Sequence, residues 1–148
     1  MKQFKHLGAY GLIIKDEKIV LIKKVGGPYN GKLDLPGGTI EWGETPEQTL
    51  IRELNEEVGI DVIKYELFDA NSIIFEWMHK EELERGHHLG IFYKVLDYNN
   101  ELLEDIKIDE KNDDSLGAKF YEINKLKRSE LSDIANLELE KLGYKLEN

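Results

Sequence analysis

One short segment of the chain carries a full set of helix signals and therefore fixes a helix in any fold that this sequence adopts. Thr45 is a favourable N-cap, Pro46 suits the first helical position, and Gln48 completes a capping box with Thr45. Gly59 supplies the left-handed residue at which helices commonly end. The sequence therefore predicts a helix over residues 46–58.

The two faces of this helix differ in chemistry. Because successive helical residues turn by about 100°, the apolar side chains gather on one side that can pack against a sheet; they are Leu50, Ile51, Leu54 and Val58. Another side carries Glu53, Glu56 and Glu57, whose like charges repel by roughly 0.2–0.5 kcal/mol per pair. A divalent cation reverses that penalty, since Mg²⁺ and Mn²⁺ prefer oxygen ligands. A solvated acidic surface is the alternative interpretation.

The three glutamates belong to a longer pattern of fixed positions across residues 38–60. In order, this pattern comprises Gly38, five residues, Glu44, seven residues, Arg52-Glu53-Leu54, one residue, Glu56-Glu57, one residue, Gly59 and Ile60. The segment matches the Nudix box without a gap, and the preceding Leu35-Pro36-Gly37 is similar to the usual lead-in of that family. The chain resembles the Nudix hydrolases, and within them the mutator-type nucleoside triphosphate pyrophosphohydrolases most.

This resemblance implies a fold and an activity. The expected fold is of the α/β class, an α/β/α sandwich around a central mixed β-sheet, formed by a single domain over residues 1–148. The expected activity is hydrolysis of the diphosphate linkage in a nucleoside di- or triphosphate or a derivative, with Mg²⁺ or Mn²⁺ as cofactor. Two alternatives remain open, an RNA 5′-pyrophosphohydrolase and a non-catalytic domain that senses nucleotides.

The resemblance also assigns roles to individual residues. The metal ligands would be the Gly38 carbonyl, Glu53, Glu56, Glu57 and, from a later acidic loop, Asp114. Glu53 would be the base that activates water, with the neighbouring glutamates as alternatives. Arg52 would orient a glutamate, and Glu44 would join the same network.

Five further residues are candidates for binding the substrate. They are Lys23, Lys24, Tyr29, Trp77 and Asn136. The lysines would contact phosphates, the two aromatic residues would stack on a base, and the asparagine would read a purine, as the resemblance to mutator-type members implies. Each also has an ordinary interpretation as a surface or packing residue. Phe75 could also stack on a base, although core packing is the favoured interpretation for this residue.

Specificity signals of two other Nudix groups are absent from the segment that follows the box. ADP-ribose members carry a proline where Ile74 and Phe75 stand here, and diadenosine polyphosphate members carry a tyrosine where Glu76, Trp77 and Met78 stand. His79, His87 and His88 lack the spacing of a zinc motif and are predicted to be surface or strand-end residues.

Composition excludes several classes of protein. The 148 residues contain no cysteine, which excludes disulfides, thiolate metal sites and the cysteine-dependent isoprenoid diphosphate isomerases of this fold. The net charge of −10 argues against nonspecific binding of DNA or RNA. No apolar run is long enough for a membrane span and no signal-peptide pattern is present, so we expect a cytoplasmic protein with a small nucleotide substrate, either monomeric or homodimeric.

The remaining elements follow from hydrophobic patterning. Strands are predicted at residues 7–14, 19–24, 33–35, 62–68, 72–78, 88–98 and 118–123. A second helix is expected within residues 129–142, a loop at 25–32, a loop or helical turn at 80–85, and an acidic irregular segment at 99–116.

Overall fold

The computed structural model describes residues 1–102 and 115–148 of the chain. The strands, in chain order, are β1 (Lys2–Leu12), β2 (Ile14–Lys15), β3 (Lys18–Lys24), β4 (Leu33–Asp34), β5 (Gly37–Thr39), β6 (Asp61–His79), β7 (Glu82–Asn99) and β8 (Ser115–Glu122). The helices are α1 (Pro46–Val58) and α2 (Asp133–Lys141), with short 3₁₀ turns at Ile123–Lys125 and Arg128–Glu130. Neither α-helix in these described ranges is long and apolar enough to cross a membrane.

The strands form two sheets, and the larger one is mixed. Its order is β5–β1–β7–β6, in which β1 runs parallel to β7 while the β1–β5 and β6–β7 pairs are antiparallel. In the smaller sheet, β3 pairs antiparallel with β2, β4 and β8. The parallel β1–β7 pair joins strands that are distant in sequence, and it brings His6 opposite His88.

Alternation along the central strands creates two cores, one on each side of the sheets. Successive strand side chains point to opposite faces, so Val20 and Ile22 of β3 join one core while Ile19 and Leu21 join the other. Helix α1 closes the first core with Leu50, Leu54 and Val58. Helix α2 closes the second with Ile134, Ala135 and Leu139. The arrangement is the predicted α/β/α sandwich.

Helix α1 begins and ends as its sequence predicts. The Thr45 hydroxyl accepts a hydrogen bond from the Gln48 amide at 3.2 Å, and the Thr45 amide donates to the Gln48 side chain at 2.9 Å. Gly59 ends the helix with φ of 83°. The sequence predicted Ile51 on the apolar face of the helix, and this is wrong. Ile51 lies at the edge of that face, turned away from the sheet, and is 41% exposed.

The hairpin of β6 and β7 differs from the prediction in extent. The two strands predicted at 62–68 and 72–78 are one continuous strand, and a register shift between Leu67 and Asp69 accounts for the apparent break. The segment predicted as a loop or helical turn at 80–85 is mostly strand, since the turn itself consists of Lys80 and Glu81, both with positive φ. Strands β6 and β7 are therefore longer than the hydrophobic pattern of the sequence predicted.

The second helix is shorter than the predicted range. Its N-cap is Ser132, whose hydroxyl accepts a hydrogen bond from the Ala135 amide at 3.3 Å. The residues before Ser132 form a 3₁₀ turn instead of the first helical turn. This boundary matters for the candidate site because it fixes the direction of Asn136.

Candidate active site

The acidic edge of α1 faces a cleft of about 840 Å³ that opens between α1, β5, β1 and the loop that follows β3. This volume is in the range of small-molecule sites. Glu53, Glu56 and Glu57 all line the cleft, together with Gly37 and Gly38. The structure thus gathers three of the predicted metal-binding side chains and the predicted carbonyl donor around one space.

The two glycines allow the backbone of β5 to lie directly against the α1 glutamates. A Cβ atom at Gly38 would lie 2.7 Å from the carboxyl carbon of Glu53, so any side chain there would displace the Glu53 carboxylate. Gly37 has a φ of 143°, and its amide donates a hydrogen bond to Glu57 Oε1 at 2.8 Å. The glycine pair therefore serves close approach between strand and helix.

Arg52 is the centre of the hydrogen-bond network at the rim of the cleft. Its guanidinium donates to both carboxylate oxygens of Glu44, each at 2.8 Å, and to Glu53 Oε1 at 2.9 Å. It also donates to Glu56 Oε2 at 3.3 Å and to the Thr39 carbonyl at 3.2 Å. The planar fork of arginine is suited to holding several carboxylates in this way.

The two carboxylates closest to Arg52 have opposite pKa shifts. Hydrogen bonds from Arg52, then from the Glu41 amide and the Thr49 hydroxyl, lower the pKa of Glu44 to about 2. Burial raises the pKa of Glu53 because the loss of hydration outweighs its hydrogen bond to Arg52. Glu44 is thus firmly ionised, whereas Glu53 is a stronger base than an exposed glutamate.

The donor set fits a hard divalent cation, although its oxygen atoms are not gathered around one point. Within residues 1–102 and 115–148, no three His, Cys, Asp or Glu side chains converge closely enough to hold a metal ion. Glu53 and Glu56 are hydrogen-bonded to Arg52, and Glu57 to the Gly37 amide. Metal binding would require the first two to turn from Arg52 towards the cleft, while Arg52 keeps its paired contacts with Glu44.

Two of the five predicted substrate-binding residues lie at the cleft. Lys24 and Tyr29 line it, from the end of β3 and from the following loop. Lys23 is exposed and lies outside the lining, because neighbouring strand residues point to opposite faces. Asp114, the predicted ligand from the acidic loop, falls outside the described residues.

Trp77 and Asn136 also lie outside the cleft lining. Trp77 stands two residues beyond Phe75 on β6, and its ring stacks on His79 with centroids 4.7 Å apart. Asn136 turns back onto the preceding turn, where its amide donates to the carbonyls of Arg128 at 2.9 Å and Leu131 at 3.4 Å. The Asn136 contacts therefore direct its side chain away from the cleft, whereas Trp77 lies on the same face of β6 as Phe75 but beyond the part that lines the cleft.

The structure adds residues of β1 to the cleft that the sequence did not indicate, namely Phe4, His6 and Tyr10. Phe75, for which core packing was favoured over base stacking, lines the cleft. His88, expected at the surface or at a strand end, lies within β7 and is only 3% exposed, and its Nε2 lies 2.6 Å from the Tyr10 hydroxyl. Burial lowers the pKa of His88 to about 3. These residues come from β1, β6 and β7, whose pairing no local motif reveals.

Comparisons with known proteins identify the family. The model of the NUDIX domain matches residues 5–139. An ADP-ribose pyrophosphatase of Methanocaldococcus jannaschii is 33% identical over 116 residues, which are 78% of this chain and 61% of that protein. An 8-oxo-dGTP diphosphatase of Proteus vulgaris is 32% identical over 105 residues, 70% of this chain and 86% of that protein.

The shared regions do not always cover the whole relative. An 8-oxo-dGTP diphosphatase of Escherichia coli is 43% identical over 73 residues, which are 48% of this chain and 57% of that protein. This chain therefore spans less than two thirds of the length of the E. coli protein and of the M. jannaschii protein. A solved MutT NUDIX hydrolase of Burkholderia pseudomallei has the same fold, with a TM-score of 0.75 at 24% identity over 93% of this chain and 98% of that one. Since the family model covers most of the chain and its fold and motif agree with it, this protein belongs to the Nudix hydrolase family.

Proposed function

We propose that this protein hydrolyses the diphosphate linkage of a nucleoside di- or triphosphate, or of a derivative, by attack of water at phosphorus with the help of Mg²⁺ or Mn²⁺. The observation that carries this proposal is the placement of Glu53, Glu56 and Glu57 on one cleft beside the Gly37-Gly38 backbone. A carboxylate edge of this kind serves no packing purpose, since the core contacts of α1 come from its other face.

The residues that would hold the cation are Glu53, Glu56, Glu57 and the Gly38 carbonyl. Bound there, the cation would neutralise phosphate oxygens and make a coordinated water more acidic. Phosphoryl-type transfer depends mainly on positioning and charge neutralisation. Mg²⁺ and Mn²⁺ prefer oxygen ligands such as carboxylates and backbone carbonyls.

Glu53 is the proposed base. Its side chain is only 16% exposed, whereas that of Glu56 is 59% exposed, and burial raises the pKa of Glu53. A base with a raised pKa takes a proton from water more readily, and it remains within reach of the cleft. Arg52 positions this carboxylate, and Glu44 in turn anchors Arg52 through two hydrogen bonds.

Lys24 is the proposed phosphate contact on the other side of the cleft. It lines the same space as the glutamates, and its positive charge offsets part of the rise that burial causes in the pKa of Glu53. The names of the relatives mention ADP-ribose and 8-oxo-dGTP, which are both nucleotide derivatives. Nucleotides are therefore the class of substrate to test first.

The test is a screen of nucleoside triphosphates, nucleotide sugars, dinucleotides and 5′-triphosphate RNA with Mg²⁺ or Mn²⁺, with released phosphate and pyrophosphate as the readout. We expect turnover of at least one nucleotide, its loss with a chelator, and its loss in Glu53→Gln. The exposed Glu66 on β6 offers a matched control, and Glu66→Gln should act as wild type. Nucleotide binding without turnover, unaffected by the chelator, would instead support a sensor.

A further inference from the structure

We propose that two copies of this chain pair through the outer edge of β6, along residues 69–79, with a two-fold axis at Ile74. The partner that fits this edge is the same strand of a second copy, running antiparallel to the first, so that the larger sheets of the two copies become continuous. The pairing goes beyond the proposed function and does not depend on it, because it involves a sheet edge and not the cleft.

Strand β6 stands at the edge of the larger sheet. The strand order is β5–β1–β7–β6, and among the described strands β6 pairs only with β7. An edge strand presents unpaired amide and carbonyl groups, which form a template for pairing with another strand. Soluble proteins blunt such edges with charged residues, with proline or with bulges. The two halves of β6 differ in whether they carry these protections.

The first half of β6, residues 61–68, is protected against pairing with another strand. Its register against β7 shifts three times, and such bulges bend a strand and interrupt its ladder. The same half carries the charged side chains of Asp61, Lys64 and Glu66, which are the kind that discourage edge pairing. A regular ladder with a second strand is therefore unfavourable along this half.

The second half of β6, residues 69–79, lacks these protections. All eleven residues pair with β7 in one unbroken register. Between Asp69 and His79 the sequence contains no proline and no lysine, and its one charged residue, Glu76, is ion-paired with Arg85 at 2.8 Å. A long, regular and largely apolar edge of this kind is a site for pairing between molecules.

One face of this second half is apolar and exposed. Successive side chains of a strand point to opposite faces, so Ile74 and Met78 lie on the face opposite to Phe75, which lines the cleft. Ile74 is 67% exposed and Met78 is 62% exposed. Leu83 of β7 pairs with Met78 and is a further exposed apolar side chain. A strand added beside β6 would cover part of this surface, with Ile74 at the centre.

The side chains of this edge are complementary to themselves about Ile74. In an antiparallel pair centred there, each residue faces the one at the same distance on the other side of Ile74 in the second copy. The resulting pairs are Ile74–Ile74, Phe75–Ile73, Glu76–Ser72, Trp77–Asn71, Met78–Ala70 and His79–Asp69. An aromatic side chain faces a β-branched one and histidine faces aspartate, which are favourable cross-strand pairs, and no like charges lie opposite each other.

The position of the axis follows from the limits of the regular stretch, since Ile74 is the midpoint of residues 69–79. An axis there pairs the whole stretch and ends the ladder at the register shift on one side and at the hairpin turn on the other. An axis two residues later would set Glu76 against its own copy, and like charges directly opposite each other are destabilising. The interface is isologous, as in most symmetric dimers.

Sedimentation velocity of the full chain over a series of concentrations tests the pairing. Wild type should shift reversibly from monomer to dimer as the concentration rises. Ile74→Lys sets two ammonium groups against each other at the axis and should weaken dimerisation by about 100-fold or more. Leu67→Lys is the matched control, because Leu67 is 65% exposed on the same strand but lies at the register shift, outside the ladder. This variant should dimerise as wild type does, and circular dichroism should show both variants folded.

A single cysteine tests the register. The chain contains no cysteine, so Ile74→Cys introduces the only thiol, which would lie opposite its own copy at a Cα separation of about 4.5–5.5 Å. This separation suits a disulfide, and mild oxidation should therefore give a covalent dimer. Leu67→Cys should remain mostly monomeric under the same conditions. The small cysteine side chain keeps this test available even if Ile74→Lys does not fold.

Three results would overturn the pairing. The first is a wild type that stays monomeric at every concentration. The second is equal dimerisation of folded Ile74→Lys and wild type, or equal weakening by Ile74→Lys and Leu67→Lys, which would place the contact elsewhere. The third is a yield of covalent dimer from Ile74→Cys no higher than from Leu67→Cys. None of these readouts involves hydrolysis, so the proposed function and the pairing can fail separately.

Discussion

Two clusters of carboxylates, one on each helix, show how differently the same side chain can behave in this protein. On the α1 side, Arg52 donates hydrogen bonds to Glu44, Glu53 and Glu56 beside an open cleft. On the α2 side, Glu138 is fully buried, and its carboxyl group interacts with the carboxylate of Asp69. Burial, followed by the interaction with Asp69, raises the pKa of Glu138 to about 8.

The side-chain cation that contacts each cluster, Arg52 at α1 or Lys141 at α2, accounts for the difference in their pKa shifts. The guanidinium of Arg52 donates hydrogen bonds to several carboxylates at once, and those to Glu44 are the main cause of its low pKa, about 2. Lys141 lies 2.9 Å from Asp69 Oδ2 and 3.0 Å from Oδ1. Burial alone would raise the pKa of Asp69, yet hydrogen bonds from Lys141 and Glu138 bring it below its usual value. Glu138 then remains neutral by holding a proton. In the proposed mechanism the α1 cluster exchanges contacts with Arg52 for contacts with a cation, whereas the α2 cluster stays buried beside Asp69.

The largest effect should come from Glu53→Gln in the α1 cluster. Loss of a general base lowers kcat by about 10²–10⁴-fold, and Glu53 is also a proposed metal ligand. Hydrolysis of the best substrate found in the screen is the measurement. Activity near that of wild type would remove Glu53 from the mechanism and shift the role of base to Glu56 or Glu57.

Arg52→Lys should reduce kcat by about 10–100-fold, because an ammonium cannot form the paired contacts that orient Glu44 and Glu53. An independent readout is acid stability. The lowered pKa of Glu44 contributes stability that is present above about pH 4.5 and is lost as the pH falls towards 2. Thermal unfolding of Arg52→Lys should therefore depend less on pH in this window than that of wild type. An unchanged profile would show that Arg52 does not stabilise Glu44.

Glu138→Gln in the α2 cluster should stabilise the protein at alkaline pH. A raised carboxyl pKa means that the folded state binds the proton more tightly, so wild-type stability declines as the pH rises from about 4.5 to about 8. Glutamine needs no proton, and the variant should gain on the order of 2 kcal/mol at pH 8, given about 1.4 kcal/mol per pKa unit and partial relaxation of the pair. The two proteins should unfold alike at pH 4. Equal stability at pH 8 would contradict a protonated Glu138.

Asn136→Ala should have the smallest effect. Its side-chain amide bonds to the carbonyls of Arg128 and Leu131, so we expect a loss of about 1 kcal/mol of stability. Because the residue lies outside the cleft lining, KM for purine nucleotides should change less than threefold. A large rise in KM for purines alone would return Asn136 to the substrate site.

The contrast between the two clusters also shows what the sequence can predict. The capping box, Gly59 and the box at 38–60 are local signals, and they correctly placed α1 and its acidic edge. The mixed sheet and the family followed from the resemblance carried by the same residues. The raised pKa of Glu138 had no such signal, since it depends on burial in the fold and on Asp69 of a distant strand.

The aromatic end of the cleft was predicted only in part, since Tyr29 and Phe75 were candidates for stacking on a base, whereas Phe4 and Gly86 had no local signal. Phe4, Phe75 and Gly86 come together only through the pairing of β1, β7 and β6, which lies beyond the reach of periodicity. Trp77 and Asn136 were chosen by residue type and position in the chain. Their directions depend on the end of the hairpin and on the Ser132 cap, which only the three-dimensional arrangement defines.

Titration of Mn²⁺ followed by electron paramagnetic resonance tests the central claim most directly. We expect wild type to bind Mn²⁺ and the double variant Glu56→Gln/Glu57→Gln to lose that binding. Glu138→Gln, which alters the other carboxylate cluster, should bind Mn²⁺ as wild type does. Equal Mn²⁺ binding by the double variant and wild type, or no binding by wild type at millimolar Mn²⁺, would contradict the account that the acidic edge of α1 holds the catalytic cation.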